Sequence, residues 1–96
     1  MRRITQKDIE ALYGAVLTLR TPAEARRFFR DLLTETEISE LSERWKAARM
    51  LAGGAPYTRI IEETGLSSTT VARVARWVKR GTGGYALALK RTNSPK

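Results

Sequence analysis

The sequence predicts an all-α fold, a small helical bundle with a C-terminal helix-turn-helix, on three observations. Apolar residues recur three and four apart along almost the whole chain, the period of a helix face rather than of a strand. Helix starts and stops divide that pattern at Thr21-Pro22, Thr34, Gly53-Gly54-Ala55-Pro56, Gly65 and Gly81-Thr82-Gly83-Gly84. Two short helical segments meet at Gly65, and cations collect on one face of the second. No strand is expected.

Residues 6–20 read as the first helix. Thr5 caps it, with Asp8 placed for a return contact. Ile9, Leu12, Tyr13, Val16 and Leu17 make its apolar stripe. Gly14 either marks a close helix contact or is merely tolerated. The second helix, 22–33, starts with Thr21 as cap, Pro22 in the first helical position and Glu24 at the positive end of the dipole. It is expected to bury Ala25, Phe28, Phe29, Leu32 and Leu33, leaving Arg26, Arg27 and Arg30 solvated. Thr34-Glu35-Thr36-Glu37 opens a third and longest helix that ends at Gly53-Gly54. Its inner stripe is Ile38, Leu41, Trp45, Ala48 and Leu51. Glu40, Glu43, Arg44, Lys46 and Arg49 alternate in sign outside, where such pairs give weak support.

After the break, Tyr57 to Thr64 forms a fourth helix with Ile60 and Ile61 inward. Gly65 can take the left-handed conformation that ends it, and Leu66 turns back to the core. Ser67 caps the next helix, in which Val71, Val74 and Val78 share one face. The other face starts with small polar residues and continues with cations. This is the pattern of a helix that enters the DNA major groove by its N-terminal end. Ser67, Ser68, Thr69, Thr70 and Arg73 are the candidate base readers, Arg73 being long enough to grip guanine with two hydrogen bonds. Tyr57, Thr58, Arg59, Arg76, Lys79 and Arg80 are the candidate phosphate contacts. Trp77 is expected to pack under the helix. Tyr85-Ala86-Leu87-Ala88-Leu89 is an apolar patch fit for docking, and Lys90-Arg91-Thr92-Asn93-Ser94-Pro95-Lys96 reads as a loose basic tail. The organisation is thus 1–52 for core and dimerisation, 53–81 for the helix-turn-helix and 82–96 for the Gly-rich segment and tail, in one structural domain.

A chain of 96 residues without cysteine or histidine fits one domain, and one this short often gains stability from a partner chain. It carries no apolar signal region behind Met1-Arg2-Arg3-Ile4-Thr5 and no membrane-length apolar run, so a cytoplasmic location is expected. The net charge is +8, and its placement is informative. Residues 1–64 hold 11 Lys and Arg against 10 Asp and Glu, whereas 65–96 hold 7 Lys and Arg and no acid. Such one-sided basicity suits a polyanion. An enzyme is disfavoured: no histidine or cysteine serves as nucleophile or base, and the acids lie on outer helix faces. No catalytic residue, metal or cofactor is expected.

The stretches Leu33-Thr34-Glu35-Thr36-Glu37-Ile38, Leu41-Ser42-Glu43-Arg44-Trp45, Ala48-Arg49-Met50-Leu51 and 57–74 resemble the Trp repressor superfamily, in its YerC/YecD-type branch. The run Ser67-Ser68-Thr69-Thr70-Val71-Ala72-Arg73-Val74, followed by a Gly-rich segment, is specific to that branch. The resemblance implies an intertwined, all-helical homodimer that binds operator DNA as a transcriptional regulator. It carries one corepressor-contacting arginine onto Arg73 and finds Gly53 where it expects the other. It therefore implies the fold and the DNA docking without tryptophan as effector, and leaves any other small-molecule effector unnamed. Ile61 also departs from the alanine that many helix-turn-helices place there.

Dimerisation is a physical expectation as well, because two recognition helices about 34 Å apart read successive major grooves. Tyr13, Phe28, Phe29 and Trp45 belong either to the subunit interface or to the monomer core. The competing readings are an RNA-binding or nonspecific nucleic-acid-binding dimeric module and a dimeric interaction protein with a vestigial motif.

Overall fold

The computed structural model describes residues 3–93, and these form six α-helices and no strand. They are α1 (Gln6–Leu17), α2 (Pro22–Leu32), α3 (Glu35–Ala52), α4 (Tyr57–Thr64), α5 (Ser68–Arg80) and α6 (Gly84–Thr92). The expectations placed on Met1 and Arg2, and on Ser94-Pro95-Lys96, lie outside the described residues.

The first three helix starts follow from local chemistry. Thr5 closes a capping box: its hydroxyl accepts from the Asp8 N–H at 3.2 Å, and its own N–H donates to Asp8 Oδ2 at 2.9 Å. Thr21 accepts from the Glu24 N–H at 3.1 Å, with Pro22 opening α2. Thr34 and Glu37 repeat the box, at 3.1 Å and 2.9 Å. Each satisfies backbone donors that a helix start leaves without partners.

The chain divides into two compact units after Ile38. In the first, none of the described residues is buried. Contrary to expectation, Ala25, Phe28, Phe29 and Leu33 are only half-buried and Leu32 is exposed. Phe28 and Phe29 meet edge to face with centroids 5.5 Å apart. On α1, Leu17 is 84% exposed and Tyr13 56%. The helix ends at Leu17 rather than near residue 20, where Thr18 turns its hydroxyl onto the Ala15 carbonyl at 2.6 Å. A Cβ at Gly14 would meet nothing within 4 Å, so the chain makes no close helix contact there.

Among the described residues, all the buried ones lie in the second unit. Ala47 and Ala48 of α3, Ile60 of α4, and Val71 and Val74 of α5 form one cluster. The two alanines let the helices approach closely, and Ala47 was not part of the expected stripe. Leu41, which was, is exposed. Lys46 Nζ ties α3 to the end of α4, 3.7 Å from Glu63 Oε1.

One expectation is corrected here. The basic tail begins as a helix: α6 runs through Lys90, Arg91 and Thr92, because Leu89 is buried and Tyr85 packs on the core. Trp45 has a partner within its own unit, stacked on Tyr85 at a centroid distance of 6.4 Å and an interplanar angle of 12°.

Candidate nucleic-acid interface

The turn between α4 and α5 is built by three adjacent residues. The buried Thr64 hydroxyl donates to the Ile60 carbonyl at 2.6 Å and accepts from the Leu66 N–H at 3.2 Å. Gly65 follows with φ +76°, its N–H reaching the Ile61 carbonyl at 2.9 Å. That conformation is open to glycine with little penalty. Leu66 then packs against the core. The role of Thr64 was missed in the sequence. Its signal was a small hydroxyl at the end of a helix, positioned to back-bond one turn earlier.

Ser67 begins α5. Its Oγ accepts from the Thr70 N–H at 3.1 Å and donates to Thr70 Oγ1 at 3.0 Å. Of the five candidate base readers, Ser67, Ser68, Thr69 and Arg73 are exposed on α5 or its cap. Thr70 is half-buried, its hydroxyl bonded to Ser67. Below them Val71, Val74 and Ala75 are buried and hold the helix down. Arg76, Lys79 and Arg80 are exposed, and no acid pairs with them or with Arg73 among the described residues. The chain offers them none after Glu63.

The α4 candidates differ. Tyr57 and Thr58 are exposed on its first turn. Arg59 is also exposed, but its Nε donates to Glu63 Oε2 at 2.8 Å. The hydrogen bond raises the Arg59 pKa and holds Glu63 below the usual carboxylate range. A guanidinium so engaged presents less net charge than the free cations of α5.

Arg73 lines a polar cavity of about 410 Å³ together with Arg44, Thr70, Val74, Trp77 and Tyr85. Arg44 comes from α3, where the sequence reading had only an alternating outer face. Trp77 is 45% exposed rather than packed under the helix. It also lines a hollow with Arg76, Lys79 and Arg80.

What the geometry offers is an exposed helix N-terminus with short polar side chains, flanked by unpaired cations and backed by a rigid cluster. Among the described residues no group of three or more acidic side chains could hold a metal, and no helix is long and apolar enough to cross a membrane. The family described as Trp repressor protein matches residues 7–93. The chain belongs to the Trp repressor family. It is 39% identical over 89 residues to the uncharacterized protein YerC of Bacillus subtilis, covering 93% of this chain and 86% of that one. A TrpR-like protein from Eubacterium eligens matches its structure with TM-score 0.84 and 38% identity, over 96% of this chain and 94% of the other. A Trp repressor candidate from Staphylococcus aureus matches with TM-score 0.85 and 36% identity, over 96% and 92%. Within this Trp repressor family chain, the helix-turn-helix and the polar cavity beside it both lie in the second unit.

Proposed function

We propose that this protein is a sequence-specific DNA-binding transcriptional regulator, a repressor that acts as a cytoplasmic homodimer and not as an enzyme. The observation that carries the reading is α5: its first turn is exposed and short-chained, and Arg73, Arg76, Lys79 and Arg80 flank it without acid partners. Ser68, Thr69 and Arg73 read bases. Ser67 and Thr70 fix the start of the helix and approach the DNA with their backbone. Arg76, Lys79 and Arg80 meet phosphates, joined by Tyr57 and Thr58 from α4, with Arg59 a weaker contact because Glu63 holds it. Arg44 adds a further cation beside Arg73.

A homodimer is supported by the first unit, whose apolar side chains find no buried position in one protomer. The organisation we propose is 1–52 for dimerisation and core, 53–81 for reading DNA and 82–96 as an appendage on one structural domain. Tryptophan is not the effector we propose. Two of the six residues lining the Arg44–Arg73 cavity are aromatic rings of the chain itself, the surface that an indole would bring.

The test is selection of bound duplexes from sheared genomic DNA at moderate salt. A two-fold symmetric motif with half-sites about one helical turn apart is expected. Random fragments that wash off with salt would refute sequence-specific reading. On the selected site, Arg73→Ala should cost about 1–3 kcal/mol and relax one base position. Lys79→Ala should weaken all sequences alike and flatten the salt dependence. The exposed ring of Trp77 among cations favours, as a second reading, a module that stacks single-stranded RNA bases. Tighter binding to single strands than to the selected duplex would move that reading to the front.

A further inference from the structure

The helix proposed to read DNA is held by its buried side chains, Val71, Val74 and Ala75, the first two in a cluster completed by Ala47, Ala48 and Ile60, with Leu66 and Val78 packed around it. A base-reading helix needs both its angle and its depth fixed, because hydrogen bonds to base edges demand both. A contact outside the buried cluster adds to what sets that pose.

The structure offers that contact at α6. α6 packs along α5, with Leu89 buried. From its first turn Tyr85 reaches α3 and stacks on Trp45, with centroids 6.4 Å apart and rings within 12° of parallel. Both rings are half-buried and both pack against the central cluster. Tyr85 also lines the cavity that holds Arg44 and Arg73, and a second hollow shared with Trp77, Thr82 and Gly84. The stack therefore pins α6 to α3 beside Arg73, and α5 contacts both α4 and α6.

We propose that Trp45 and Tyr85 are positioning residues for DNA recognition: their stack sets the orientation of α5 on α3 and with it the aim of Arg73. The proposal rests on the DNA-reading function above. Flat, rigid rings suit the task, since an offset stack fixes tilt as well as distance where an aliphatic contact fixes distance alone. The Tyr85 hydroxyl has no part in it, so phenylalanine should serve as well.

The test uses the full ¹⁵N-labelled chain and residual dipolar couplings from 39–52, α5 and α6. In Tyr85→Ala the couplings should show α5 rotated against α3, and in Tyr85→Phe they should match the parent. On the selected duplex, Tyr85→Ala should lose about three- to tenfold of its preference over a scrambled duplex, the size an aromatic pair supports. Its affinity for the scrambled duplex should stay unchanged, and Tyr85→Phe should restore the preference. If Tyr85→Ala fails to fold, Trp45→Leu keeps apolar volume without the stack and carries the same expectations. A folded variant with parental couplings and parental preference, merely less stable to heat, would overturn the proposal. Rotated couplings in a protein whose parent prefers no duplex would sink the DNA-reading function instead, and leave the orienting role of the stack standing.

Discussion

Residues 3–38 and residues 39–93 are built from similar proportions of helix, yet they differ in what they bury. The second unit has a cluster closed at its centre, with Ala47, Ala48, Ile60 and Val71 at 0% exposure. The first has well-capped helices, an aromatic pair and no buried residue at all. Capping decides where a helix starts but supplies little of its stability. Helices of 12 and 11 residues are marginal in water without an apolar face to bury. The difference teaches that the second unit closes a core of its own, whereas the first two helices leave their apolar faces without one among the described residues.

The largest effect should come from disrupting the proposed homodimer through the first two helices. Tyr13→Glu combined with Leu17→Glu should halve the mass seen by sedimentation equilibrium, and cut affinity for the symmetric site at least ~100-fold through lost bivalency. Amide exchange should accelerate across 6–32 while 39–93 keeps its protection. An unchanged mass would break the comparison. Next, Ile60→Ala should cost about 2–5 kcal/mol by urea unfolding, since it opens a cavity where no side chain is exposed. A loss as small as that of an exposed substitution would mean the second unit has no closed core.

Gly65→Ala should cost about 1 kcal/mol, again in the second unit alone. A Cβ there meets nothing within 4 Å, so the penalty is purely that of the positive φ. The smallest effect is a matter of pH. The Thr5 N–H, aided by its hydroxyl, holds the Asp8 carboxyl below its ordinary range, and the Arg59 hydrogen bond does the same for Glu63. Groups with depressed folded-state pKa values contribute fully above the ordinary carboxylate range, and that contribution is lost as pH falls through the depressed values. Melting temperature should therefore drop on acidification, slightly less steeply in Asp8→Asn for the first unit and in Glu63→Gln for the second. Parallel acid limbs in parent and variants would contradict the assignment.

Much of this was legible because it is local. Thr5, Thr21 and Thr34 cap helices through contacts three residues away, and Gly65 shows its turn by being glycine between two amphipathic runs. The family resemblance was legible for the same reason, in one continuous run from Ser67 to Val74. What stayed hidden depends on distance along the chain. Trp45 and Tyr85 are far apart in sequence, and neither names the other. Arg44 joined Arg73 only once α3 and α5 were folded together. The tail 90–92 looked solvated by composition, and only the burial of Leu89 made it part of a helix. On α2 the pattern marked an apolar face but not its burial, since periodicity shows which side chains share a face and is silent about how far that face is covered.

The close of α5 carries a further consequence. Gly81 lies so tightly on Trp77 that a Cβ would run into the Trp77 carbonyl oxygen and stand 2.7 Å from its ring. Its φ is −76°, so the constraint is space rather than backbone conformation. In a saturation library this position should accept glycine and little else, while Gly14 and Gly84, which face open space, drift freely. Descendants of this chain can lengthen or recolour the ends of their helices, but the spacing between α5 and α6 is locked at that point. Replacing the tryptophan alone would not release the glycine, because the nearest obstacle is the backbone carbonyl of residue 77, which any side chain there would share.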